Sequence, residues 1–448
     1  MTTTVRILGS RAREQVPGTG ITLLAPGFRG ALTQLAAGAA THTTHDLPFA
    51  EAAAGAEAML AAQLTLSIEA RPADRAAGLR SRSAVASHPR VIVPRRGGLA
   101  YALLQTDETG TSSFVLPASG DVTEAVFPLT IAAHGSTRRM LRVLMWPAQL
   151  LSGGGVLAAA ERWENLRRPN QIAQCGPGGD WLAPDWPALR QGPVLLLLHD
   201  TFSTPQSTFA DWVGDDSFTP VFRAFGGRCL AFAHPTLSCG LEENVAWLVS
   251  QVASLPGPFD IVALGRGGLL ARAIASDGRL PLRRVCQVGT PNLGTPLAHE
   301  ANLLRFLDGH VAMLACIPNR VARSTLEGVL CMARIAALGL HSPLPGVTIQ
   351  ATGNPALDAL RGASPGPQWF TVSAQYSAVG GHGMRPLAAE DFAATPNDLV
   401  VPSEGCHEPG APVTDRLRLG GAQVHHHNYF ANTHVRTHLA EWLRTEEM

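Results

Sequence analysis

The chain has 448 residues, 46% of them hydrophobic and 16% charged, the composition of a folded protein too long for one ordinary core, so two unequal domains are expected. Acidic and basic side chains balance at 35 each, every basic one an arginine, so no global field draws the chain to nucleic acid or anionic lipid. No apolar run is long enough to span a bilayer. The start, Met1-Thr-Thr-Thr-Val-Arg-Ile7, lacks the parts of a secretory signal, and seven scattered cysteines without C-x-x-C spacing suit reduced thiols, so a cytoplasmic address is expected.

Residues 1–150 read as a smaller β-rich or α+β domain whose role is not legible. Alternating or continuous apolar positions predict strands at Gly20–Ala25, Arg90–Val93, Ala100–Leu104, Ser113–Leu116, Val126–Ala132 and Arg139–Trp146. The Ala-rich stretch Ala50–Ser67 predicts a helix, and Thr41-His-Thr-Thr-His45 is expected to be a loop beside a helix start rather than a metal site. The Gly153-Gly-Gly155 break marks a junction, after which residues 151–190 supply a leading helix over Val156–Leu166 and a linker.

From there to residue 448 the pattern becomes alternating buried strands and helices, the signature of an α/β unit with a mostly parallel sheet and helices on both faces. Strands are predicted at Gly192–His199, Cys229–His234, Asp260–Leu264, Arg284–Val288 and Trp369–Ser373, and an amphipathic helix at Leu241–Val252.

The segment Ala263-Leu-Gly-Arg-Gly-Gly-Leu-Leu-Ala-Arg272 runs from a strand into a helix. It resembles the nucleophile elbow of α/β-hydrolases, G-H-S-x-G-G-L, with the small positions kept as Ala263, Gly267 and Gly268 and with Gly265 at the serine position. A glycine there supplies no nucleophile. The only other match to the bare pattern, Gly362-Ala-Ser-Pro-Gly366, precedes a strand, and Pro365 removes the N–H an oxyanion hole needs, so Ser364 is rejected.

His199-Asp-Thr-Phe-Ser203 resembles the oxyanion loop H-G-T-F-S of such hydrolases, with Asp200 in place of glycine. Asp200, Thr201 and Arg266 therefore occupy the oxyanion-loop positions. A carboxylate there either opposes a developing oxyanion or turns outward as a turn residue or cap. Asn397-Asp-Leu-Val-Val-Pro402 resembles the acid loop and points to Asp398, and Val424-His-His-His-Asn-Tyr-Phe430 resembles the histidine loop. The Asn-Tyr-Phe register picks His426, with His425 and His427 as alternatives.

With Ala233-His-Pro-Thr-Leu-Ser238, Val288-Gly-Thr-Pro-Asn-Leu-Gly-Thr-Pro-Leu297 and Leu344-Pro-Gly346, the resemblance extends over about 290 residues. It is to an uncharacterised bacterial group of lipase-like α/β-hydrolase domains, some of which occur beside caspase-like or other effector modules. The resemblance implies an α/β-hydrolase fold and a triad reduced to Asp398 and His426.

Three functions follow. The first is a pseudohydrolase, in which the fold binds or scaffolds another protein or a small ligand in the cleft. The second is a serine-free hydrolase or lyase using Asp398 and His426 with Asp200 or a water. The third is an esterase or lipase whose nucleophile was changed by engineering. No phosphate loop, dinucleotide fingerprint or metal set is recognisable, so no cofactor is expected.

Overall fold

The computed structural model describes residues 3–34, 59–70, 89–107, 112–115, 117, 123–129, 136–147, 157, 161, 164–165, 168–299, 344–360, 366–376, 395–420 and 424–444. Contacts divide the chain into two units, Met1–Gly155 and Val156–Met448.

In the first unit every described element is a strand. β1 (Thr3–Ile7), β4 (Phe28–Gln34), β5 (Met59–Ala70), β7 (Leu99–Asp107), β8 (Ser112–Val115) and β10 (Ser136–Pro147) form an antiparallel sheet in the order β1-β4-β5-β10-β7-β8. β2 (Glu14–Gln15), β3 (Thr22–Leu24), β6 (Arg90–Pro94) and β9 (Glu124–Pro128) form a second, in the order β2-β3-β6-β9. One apolar cluster takes Leu32, Leu64, Leu66 and Val143 from the first sheet and Leu23, Val91 and Phe127 from the second, as two inner sheet faces packed together do.

The helix predicted over Ala50–Ser67 is a correction. Residues from 59 onward lie in β5, where Ala62, Leu64, Leu66 and Ile68 are buried and Gln63, Thr65 and Ser67 are not. This period of two defeats the helix propensity of the alanines, because burial against a sheet contributes more than intrinsic preference. Residues 50–58, the Thr41–His45 cluster and Ser364 lie outside the described residues.

The second unit holds an eight-stranded sheet made of β11 (Gln171–Cys175), β12 (Trp181–Leu182), β13 (Val194–Leu198), β14 (Cys229–Ala233), β15 (Phe259–Leu264), β16 (Leu282–Val288), β17 (Gln368–Ala374) and β18 (Val413–Leu419). Their order is β12-β11-β14-β13-β15-β16-β17-β18, parallel from β14 to β18 and antiparallel at β11 and β12. Successive side chains of one strand point to opposite faces: Leu196, Leu198, Ile261 and Ala263 join one apolar cluster, and Leu195, Leu197, Val262 and Leu264 the other.

Helices cover both faces. α2 (Leu241–Val252) and α3 (Arg266–Asp277) pack on the first cluster, while α1 (Thr219–Ala224) and α4 (Thr433–Trp442) pack on the second. This is the α/β-hydrolase fold preceded by a β-rich unit. The described helical residues of the leading segment are Leu157, Glu161, Glu164 and Asn165. No helix among the described residues is long and apolar enough to cross a membrane. Cys175, Cys229, Cys286 and Cys406 are buried free thiols, and Cys239 is half-buried.

Candidate functional site

The loops that follow β13, β15 and β16 meet at the carboxyl edge of the parallel sheet, where ligands of open α/β sheets bind. The β15–α3 turn is tight. Gly265 has φ 52° and ψ −122°, a conformation costly for residues with a Cβ. A Cβ on Gly267 would overlap the Leu198 carbonyl oxygen and one on Gly268 would overlap Thr290 Oγ1, so α3 can start this close to β13 and to the β16 loop only with glycine at both. Gly289, after β16, is placed likewise: its Cβ would stand 2.8 Å from the Tyr429 ring, 3.1 Å from Asp398 Oδ2 and 3.2 Å from His426 Nδ1.

His426 lies between two carboxylates. Its Nδ1 is 2.7 Å from Asp398 Oδ2 and its Nε2 is 3.0 Å from Asp200 Oδ2, with both acids and the ring almost wholly buried. Asp398 is held in turn: Oδ1 accepts from the Val400 and Val401 N–H groups at 3.0 and 2.7 Å, and Oδ2 also accepts from Tyr429 Oη at 2.9 Å. Asp200 Oδ1 accepts from the Arg266 N–H at 2.7 Å.

With both acids ionised, their oxygens accept from N–H groups at both ring nitrogens, an arrangement that favours the imidazolium form of His426. Burial opposes that charge. The adjacent Asp398 and then Asp200 outweigh it and raise His426 to about 10. For Asp200, burial favours the neutral acid, but the His426 charge, the hydrogen bond to it, His427 and the Arg266 N–H together hold the carboxyl far below its ordinary range. Burial pushes the Tyr429 hydroxyl well up, and Asp398 pushes it further.

The Asp200 carboxylate stands where a side chain at 265 would begin. A Cβ built on Gly265 would overlap Asp200 Oδ1 and Cγ and stand 2.9 Å from Oδ2. Asp200 thus points inward, the first of the two orientations open to it in the sequence. One oxygen faces the imidazole and the other faces the first N–H after the turn.

Arg266 and Thr201 flank the site differently from Asp200. The Arg266 side chain is fully buried, with Nε donating to Gly346 O at 3.0 Å and Nη2 to Cys239 O and Asn244 Oδ1, each at 2.9 Å. Burial lowers it to about 10. Thr201 Oγ1 accepts from Gln350 Nε2 at 2.9 Å.

Of the other two histidines, His425 receives the His427 N–H on Nδ1 and is depressed to about 4, chiefly by burial. His427 sets its ring edge-on to His426 with centroids 5.5 Å apart. Neither stands between the acids.

Three polar groups escaped the sequence reading. Tyr429 lies in the Asn-Tyr-Phe register that selected His426, and that adjacency was its signal. His199 lies against His234 with ring centroids 4.1 Å apart and the planes tilted by 31°, and accepts the His234 N–H on Nε2, which leaves its Nδ1 to donate to Asp200 O. Burial drives it down to about 3. Glu164, on the leading segment, accepts the N–H groups of Thr236, Leu237 and Ser238 and the Ser238 hydroxyl. An isolated glutamate 72 residues before its partner carries no local signal.

No group of His, Cys, Asp and Glu among the described residues is arranged to hold a metal ion. No curated protein matches the chain. Solved structures similar to it include Bacillus licheniformis lipase BlEst2 in mature form, at 16% identity over 61% of this chain and 98% of that one, TM-score 0.38. An α/β-hydrolase fold protein from Chitinophaga pinensis is 12% identical over 62% and 98%, TM-score 0.37. A hydrolase from Oleispira antarctica is 10% identical over 63% and 96%, TM-score 0.35. Residues 152–444 match the family described as a domain of unknown function, DUF7379, and the chain belongs to that family.

Proposed function

We propose that the second unit is a pseudohydrolase, an α/β-hydrolase fold kept as a binding or scaffolding module after its serine gave way to Gly265. One observation carries this reading: the Asp200 carboxylate occupies the space of a side chain at 265 while engaging both His426 Nε2 and the Arg266 N–H.

Acyl transfer needs a nucleophile, a base and an oxyanion donor, and each is withdrawn. Position 265 carries no hydroxyl. His426, with both nitrogens protonated and facing carboxylates, has no lone pair with which to take a proton, a role worth roughly 10²- to 10⁴-fold in rate. The Arg266 N–H already serves a carboxylate, and losing one oxyanion donor costs roughly 10²- to 10³-fold.

Hydrolysis of short- and medium-chain p-nitrophenyl esters tests the reading. Wild type and H426A are expected to be inert. G265S alone is expected to remain inert because the new Cβ overlaps Asp200. The double variant D200G/G265S is expected to gain turnover that H426A abolishes. Histidine-dependent turnover by wild type would sink the pseudohydrolase.

That outcome would favour the second reading, a serine-free hydrolase or lyase, which the 3.0 Å contact between Asp200 and His426 makes geometrically reasonable. Its activity would rise with pH as His426 loses its proton near 10. The third reading, an engineered serine-to-glycine change in a working esterase, is disfavoured by the same contact, since a serine at 265 and an inward Asp200 cannot coexist.

A further inference from the structure

We propose that the space between His426 and the start of α3 is a carboxylate-binding seat that the protein fills with its own Asp200, and that a free monocarboxylate occupies it once that side chain is withdrawn. This rests on the pseudohydrolase reading and names the ligand class of that site.

Two donors of different origin converge on the two oxygens of one carboxylate, the imidazolium N–H on Oδ2 at 3.0 Å and a backbone N–H on Oδ1 at 2.7 Å. Charge-assisted capture of this kind is matched to a planar anion with paired oxygens. The imidazolium is fixed from behind by Asp398, and Asp398 by Tyr429, Val400 and Val401, so the donor direction is set before any ligand arrives. Gly265 leaves the room the carboxylate fills.

The strap that delivers Asp200 is under strain. Phe202, two residues on, has φ 59°, a left-handed conformation that a bulky side chain rarely adopts. The buried contacts of Asp200 offset that strain, and a free acid taking them over would let the strap relax. Tethering gives Asp200 a high effective concentration, so wild type keeps its seat filled against dilute acids.

The test uses the full chain. D200G, which places at 200 the glycine of the resembling H-G-T-F-S loop, is titrated with sodium formate or acetate, with sodium chloride at matched ionic strength as the control. Thermal unfolding and the ring N–H signals of His426 are followed. Formate is expected to raise the unfolding midpoint of D200G saturably and to bring back the second ring N–H signal. Binding to D200G/H426Q is expected to be at least tenfold weaker, and wild type is expected not to respond.

Equal protection by chloride, binding indifferent to H426Q, or no binding by a folded D200G would each overturn the seat. If D200G does not accumulate folded, refolding it in formate or in chloride decides the same question: recovery in formate alone supports the seat, and equal or absent recovery overturns it. Failure here leaves the esterase result untouched, whereas turnover by wild type defeats the pseudohydrolase whatever formate does.

Discussion

At residue scale, His426 and Asp200 form one electrostatic unit, and pH should expose it. The groups facing His426 are Asp398, Asp200, the His427 ring edge and, through Asp398, the Tyr429 hydroxyl. His426 lies near 10 when folded against an ordinary 6.5, so its stabilisation is complete below about pH 6.5 and is lost as pH rises through about 10. Asp200 is depressed, so its share is present above its ordinary value of 3.8 and is lost as pH falls below it. Urea midpoints should therefore hold steady from about pH 4 to 6.5 and decline toward pH 10. H426Q should remove the alkaline decline, and it should lower stability by about 3–5 kcal/mol near neutrality because two buried carboxylates lose their shared cation. An unchanged alkaline slope in H426Q would assign that slope to other groups. Much of this was legible beforehand, because an acid, a histidine loop and a side-chain-free elbow stand in hydrolase order. The inward turn of Asp200 was not, since the same residue type serves equally well as an outward cap.

Elements set how closely these residues approach. Glycines 267 and 268 allow the first turn of α3 to press on β13 and the β16 loop, and G267A should cost about 2–4 kcal/mol because the obstacle is the Leu198 and His199 carbonyl oxygens rather than a side chain that can swing away. Chemical denaturation checks this, and a cost under about 1 kcal/mol would show that α3 can shift without penalty. The parallel strands were readable because burial on both faces makes them continuous apolar runs. In the second unit's sheet three strands carried no such signal: the antiparallel β11 and β12 are short and half-exposed, and the outermost parallel strand β18, Val413-Thr-Asp-Arg-Leu-Arg-Leu419, is an edge strand with mostly polar, exposed positions. The alanines of Ala50–Ser67 favour a helix, whereas the period-two burial from Ala62 to Ile68 makes β5 a strand.

For the whole molecule, the apolar clusters are the telling feature. Of three clusters among the described residues, one draws only on residues before Gly155 and two only on residues after it. Separately expressed fragments 1–155 and 156–448 should therefore each unfold cooperatively, and calorimetry of the pair should reproduce the transitions of the full chain. A fragment lacking a cooperative transition would show that its core depends on the other. Within the second unit, Glu164 fastens the leading segment to the loop after β14 through four hydrogen bonds, so E164A should make that segment the first site of proteolytic cleavage.

On the proposed pseudohydrolase reading, the overlap between a side chain at 265 and the Asp200 carboxylate also acts as a ratchet. A serine placed at 265 meets an occupied space, and a glycine placed at 200 leaves a histidine with no hydroxyl to activate, so neither single change yields a working hydrolase for selection to retain. On that reading either path back runs through one unrewarded intermediate, which favours drift of the cleft toward new ligands over a return to hydrolysis.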